Sequence, residues 1–237
     1  MAGCIYCIDN DILQKLATFD LFDETITLFD ASPEQINILP TARFKFQRDW
    51  EKLQKGSSRN PEARFINHKK TIELAEKLPQ IADAEIDQSL FVQLSEFEGI
   101  DKGEAILTIY AAQILRETKP PQAFIFTGDK NYLRALAGVE IAVIQENFFH
   151  KFWCLEQLIL KGVETYGFEF VRDKIAPIRE CDKAMKAVFG SGEFSTPENS
   201  LATLKSYIET LRAETGILLD PYPNQPWFLN FQFFASQ

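Results

Sequence analysis

Three acidic residues carry the chemistry that this sequence suggests first. Asp9 ends a compact apolar run, CIYCID; Asp129 follows the run AFIFTG within residues 122–131; and Glu104 stands three residues after Asp101, ahead of a periodic apolar segment. Each apolar run has the pattern of a strand buried on both faces, and each leads straight into a segment with apolar residues at helical spacing. An acid at the C-terminal end of such a strand lies where ligands bind in open α/β sheets. If the two strands are neighbours and the helix carrying Glu104 packs on them, three carboxylates meet at one sheet edge. Carboxylates brought together repel, and an all-oxygen set suits Mg2+ or Mn2+, which can orient and activate water for phosphodiester hydrolysis. Each acid also has a purely local role: Glu104 completing a capping box with Asp101, Asp129 capping the next helix, and Asp9 standing in a turn.

The elements needed to position these acids follow from the rest of the chain. Asp11 reads as the N-cap of a helix with Ile12, Leu13, Leu16 and Ala17 on one face, and residues 20–30 read as a short amphipathic helix. A small strand is expected at 36–39 and a long polar helix from Pro40, with Phe44, Phe46, Trp50 and Leu53 on a partly apolar face. Further helices are expected over 62–78, 83–98 and from 101 to the Lys-Pro-Pro at 119–121. Residues 140–145, EIAVIQ, read as a third strong strand and 147–161 as the helix after it. Residues 173–189 read as one helix, and Thr196 with Pro197 marks the start of a last one. The fold class is therefore α/β, with a mainly parallel central sheet flanked by helices. Residues 1–162 form its main domain, 41–98 a basic helical insertion, and 163–237 an α-rich extension ending in an aromatic tail from Tyr222 to Phe234.

Composition narrows the function. With 237 residues and 46% apolar content the chain can bury a substantial core. No apolar run is long enough to cross a bilayer and no signal-like segment opens the sequence, so a cytoplasmic protein without a membrane partner is expected. Cysteines at 4, 7, 154 and 181 lack a second Cys or His pair at zinc spacing, and His68 and His150 are the only histidines. The net charge of −9 conceals a division. Residues 41–70 carry nine bases and three acids, a net +6, which leaves −15 on the remainder. Arg43, Lys45, Arg48, Lys52 and Lys55 are the candidate nucleic-acid contacts, with Phe44, Trp50 and Phe65 available to stack on bases; the alternative is a solvated helix face over core aromatics.

The order of Asp9-Asn-Asp-Ile-Leu, Ile-Leu-Pro at 38–40, Gly-Glu-Ala-Ile-Leu at 103–107 and Thr-Gly-Asp-Lys at 127–130 resembles that of PIN-like nuclease domains, over about residues 4–160 without the basic insertion. The resemblance implies a Mg2+- or Mn2+-dependent endonuclease, usually acting on RNA rather than DNA and often the toxin of a toxin–antitoxin pair or a defence effector. It makes Asp9, Glu104 and Asp129 the catalytic, metal-binding acids and Asp11 a support for the first. A further family Glu falls here near Phe46, with Asp49 or Glu51 as substitutes one turn later. The rival expectation is a catalytically weak PIN-like binding or scaffold subunit. Its partner would be an antitoxin or a second copy, engaged through the aromatic tail.

Overall fold

The structure, a computed structural model, describes residues 4–82, 86–117 and 123–224. In chain order the elements are β1 (Ile5–Ile8), α1 (Asn10–Phe19), α2 (Phe22–Thr27), β2 (Ile36–Asn37), α3 (Ala42–Gln54), α4 (His68–Lys77), α5 (Gln88–Ser95), α6 (Lys102–Glu117), β3 (Ala123–Thr127), α7 (Lys130–Ala137), α8 (Ala142–Asn147), β4 (Phe152–Cys154), α9 (Leu155–Tyr166), α10 (Phe168–Ile175), α11 (Lys183–Val188) and α12 (Pro197–Thr215). The four strands form one parallel sheet in the order β2-β1-β3-β4. All five β3 residues are buried, as expected of a central strand covered on both faces. Single bridges extend the sheet on both sides, Ile38 to Gln80 beyond β2 and Phe152 to Leu219 beside β4. No helix among the described residues is long and apolar enough to cross a membrane.

The strand order places the edge at which Asp9 and Asp129 emerge. From β1 the chain goes to one side for β2, then crosses back to the other side for β3 and β4. The reversal falls between β1 and β3, and a crevice opens at the carboxyl ends of strands at such a point. Ile5 to Ile8 pair in register with Ala123 to Phe126, so the two strands end level and their next residues, Asp9 and Thr127-Gly128-Asp129, emerge side by side.

Several expected elements differ. Residues 140–145 do not form a strand: Ala142–Asn147 is helix α8, which packs on α6 and buries Ile144. The unbroken apolar run of EIAVIQ fits either period over so short a stretch, and contacts with α6 decide it. The strand beside β3 is instead Phe152–Cys154, inside the span expected to be helical. Asp9, not Asp11, caps α1, its Oδ1 accepting the Ile12 amide at 2.7 Å. The helix expected over 62–78 is a 3-10 turn at Pro61–Phe65 followed by α4, which is capped by Asn67. The one over 173–189 breaks into α10, a 3-10 stretch holding Pro177 and α11, since proline cannot donate to the preceding turn. On α3 only Ala42 and Phe46 are buried, so the apolar face is narrower than expected, and Phe44 is 65% exposed. The expected stop at 119–121 and the tail beyond 224 lie outside the described residues.

Helix α9 runs through residues 162–163, and one core cluster takes in Phe46 and Ala75 of the basic segment, the strands, and Phe189 and Leu211 of the C-terminal helices. Tyr222, the first aromatic of the tail, packs inward. It stacks on Trp153 with ring centroids 5.4 Å apart, and its hydroxyl donates to Glu164 at 2.6 Å.

Candidate functional site

The edge of β1 and β3 is built around Asp9. Its Oδ2 accepts the Thr127 hydroxyl at 2.5 Å and the Gly128 amide at 3.1 Å, so one carboxylate ties the end of β1 to the turn after β3. Asp9 is buried. Burial, and then the charge of Asp11, pushes its pKa up to about 6, against the pull of the Ile12, Thr127 and Gly128 donors. The Thr127 oxygen in turn accepts the Asp129 amide at 3.1 Å. Asp129 caps α7 through Oδ1, which takes the amides of Asn131 at 2.8 Å and Tyr132 at 3.0 Å, and its side chain is exposed.

Glu104 comes to the same edge on the first turn of α6. Its Oε2 accepts the Asp101 amide at 2.7 Å while Asp101 Oδ1 accepts the Glu104 amide at 2.8 Å, a complete capping box. At Gly103 beside it, a Cβ would come within 2.8 Å of the end of the Leu39 side chain, which would have to move aside. Burial pushes the Glu104 carboxyl up to about 8; the Asp101 amide opposes this, while the charges of Asp101, Asp129 and Asp9 add to it. Glu104 therefore feels both other acids, and Glu104 and Asp129 each also fill the capping role that the sequence offered for them. Among the described residues no His, Cys, Asp and Glu side chains form a group of three arranged to hold a metal.

A second layer of charge borders this edge. Lys15 reaches Asp11 Oδ2 at 2.5 Å and Asp182 Oδ2 at 2.6 Å. Burial works against the Lys15 ammonium, but the two carboxylates outweigh it and hold its pKa above the ordinary lysine value. Burial likewise opposes the charge of Asp182, and Lys15 outweighs it to keep that carboxyl below its ordinary value. The Asp11 carboxylate lies so close over Gly128 that a Cβ there would collide with it, which accounts for glycine between Thr127 and Asp129. Buried Glu156, at the start of α9, pairs with Lys130 at 2.5 Å. Asp182 and Glu156 are absent from the sequence reading. The Asp182–Lys15 contact spans distant parts of the chain, and Glu156 lay within what was read as one long helix.

These side chains line a groove of about 880 Å3, with Lys45, Arg134 and Lys183 among its cations. Of the five expected nucleic-acid contacts, only Lys45 lines it. Arg43 pairs with Glu76 at 3.6 Å, Lys52 meets Asp49 at 4.0 Å, Lys55 meets Glu51 at 3.3 Å, and Arg48 is exposed with no ion pair among the described residues. Asp49 and Glu51 thus face cations of their own helix, and Asp49 lines a different cavity. Phe46, in the place of the further family acid, is buried.

Compared with protein-family models, curated proteins and solved structures, the chain matches none.

Proposed function

We propose that this chain is a PIN-like, divalent-metal-dependent endonuclease that cleaves RNA, with Asp9, Glu104 and Asp129 as its acids. The observation that carries the reading is the link at the switch point: the Thr127 hydroxyl donates to the Asp9 carboxylate and accepts the Asp129 backbone amide, while burial first, and then the charges of Asp101, Asp129 and Asp9, push the Glu104 carboxyl up. A bound Mg2+ or Mn2+ would supply activation of water and neutralisation of charge at the phosphorus. The donor set fits such an ion in chemistry, being all oxygen. Asp129 Oδ2 and Glu104 Oε1 have no hydrogen-bond partner among the described residues. Mg2+ commonly takes only one or two carboxylates and completes its shell with waters and substrate phosphate, so a three-carboxylate cage is not required. Asp9, fixed by three donors, orients the turn that presents Asp129. Lys45 and Lys183, with no ion pair among the described residues, offer positive charge to the phosphates of a strand lying in the groove, whereas Lys130 and Arg134 are held by Glu156 and Glu214. A toxin or defence role, with an antitoxin as partner, belongs to the same proposal.

The test is cleavage of end-labelled single-stranded RNA and DNA in Mn2+ and in EDTA, beside Asp9→Asn and Asp129→Asn. Cleavage of RNA that needs Mn2+ and is lost in both variants supports the reading. Cleavage that survives EDTA or both substitutions overturns it, and RNA binding without cleavage favours a scaffold subunit.

A further inference from the structure

A second cavity, of about 520 Å3, lies beside α3 and shares Asn60 with the groove at the sheet edge. Its size is within the roughly 300–1,000 Å3 of small-molecule sites. The loop after α3 shapes it. Gly56, at φ 66, takes a left-handed turn, and both the amide and the hydroxyl of Ser57 donate back to the Lys52 carbonyl, at 2.9 and 3.1 Å. Lys52 and Arg59 stand against one acid, Asp49, in its wall. The Lys52–Asp49 pair is loose at 4.0 Å, and Arg59 has no ion pair among the described residues.

His68, 2% exposed, forms another part of the wall. Its Nε2 lies 2.9 Å from the Ala63 carbonyl, which can only accept, so Nε2 carries a proton. Nδ1 is buried with no partner. Buried in this way it does not open onto the cavity, and the ring, packed against Trp50, senses the state of the wall.

We infer that this cavity binds one nucleotide of a single-stranded nucleic acid, with the phosphate on Lys52 and Arg59 and the sugar and base against Ser58, the Asn60 amide and the apolar side chain of Ile66. The inference rests on the nuclease reading, and Asn60, which lines both spaces, sets the cavity next to the proposed substrate groove. Exposed Phe44 on the same helix provides a face for a neighbouring base, while Trp50 packs its ring on His68. The uneven charge of the wall selects a phosphorylated ligand over a neutral nucleoside.

The two histidines make the site readable. In 15N-histidine-labelled protein, His68 reports on the cavity, while His150, whose Nδ1 lies 2.9 Å from the Leu219 carbonyl, is the internal control. The protein is titrated in EDTA with adenosine 5′-monophosphate, with adenosine as comparator. The nucleotide should move the His68 ring signals saturably and leave His150 in place, and adenosine should bind at least tenfold more weakly. Combined Lys52→Ala and Arg59→Ala should weaken nucleotide binding at least tenfold while the free protein keeps its circular dichroism spectrum. An unmoved His68, equal shifts at His150, equal binding of adenosine, or indifference to the double substitution overturns the site. Loss of the nuclease reading in the cleavage assay with the His68 response intact leaves this site standing, and cleavage without that response removes the site alone.

Discussion

The three acids at the sheet edge are each held by backbone amides, whereas the cations along α3 are held by single exposed ion pairs or by none. Asp9 takes two amides and a hydroxyl, Asp129 two amides and Glu104 one, so each carboxylate is anchored by the ends of the elements themselves. Arg48, Lys52 and Lys55 stand on a solvated helix whose nearest acids are its own. Geometry is needed where bonds would be broken, and only charge density where a polyanion is to be gathered.

The sharpest way to break that contrast is at Asp9. Asp9→Asn should lower RNA cleavage on the order of a hundredfold or more, the scale seen when a preorganised electrostatic group is lost, as measured by initial rates in Mn2+. Activity near wild type would mean that the edge is structural only. Next in size is Lys130→Met. It leaves buried Glu156 without its ammonium and should cost roughly 3 kcal/mol of unfolding free energy by urea titration, as for other broken buried pairs. A cost like that of a surface substitution would show the pair to be screened.

On the other side of the comparison, reversing Arg48, Lys52 and Lys55 to Glu should weaken RNA binding by about tenfold or more and flatten its salt dependence. The same variant should change stability by only about 0.5 kcal/mol per site. An unchanged salt slope would return α3 to the role of a solvated face. The smallest effect concerns pH. With its folded pKa raised from 4.5 to about 8, the Glu104 contribution is fully present below pH 4.5 and is lost as pH rises through 8. Glu104→Gln keeps an oxygen for the Asp101 amide, so it should flatten that decline and be more stable than wild type at pH 8. Allowing for solvent screening of a partly buried group, the gain is about 1 kcal/mol, read from melting curves at pH 5 and 8. A steeper decline in the variant would assign the pH dependence to another group.

Much of the edge was legible in the sequence because it is made of local signals. A buried strand, an acid and a helical period recur at Asp9 and Asp129, and the Asp101–Glu104 box is visible in three residues of spacing. What stayed hidden depends on contacts between distant segments. Nothing near Asp182 announces Lys15, and Phe152–Cys154 is too short a strand to stand out from the apolar residues of α9 that follow it. EIAVIQ misleads for the complementary reason, since its pattern suits a strand but the place beside β3 is already filled.

The single bridges flanking the sheet also bear on solubility. Beside β4, the Phe152 amide donates to Leu218 and the Phe152 carbonyl accepts the Asp220 amide; beyond β2, Ile38 exchanges bonds with Pro79 and Ile81 in the same way. Among the described residues, each margin is therefore covered at one position from within the chain. Loss of the segment from Leu218 to Asp220 would uncover Phe152 and turn the β4 margin into a template for intermolecular pairing.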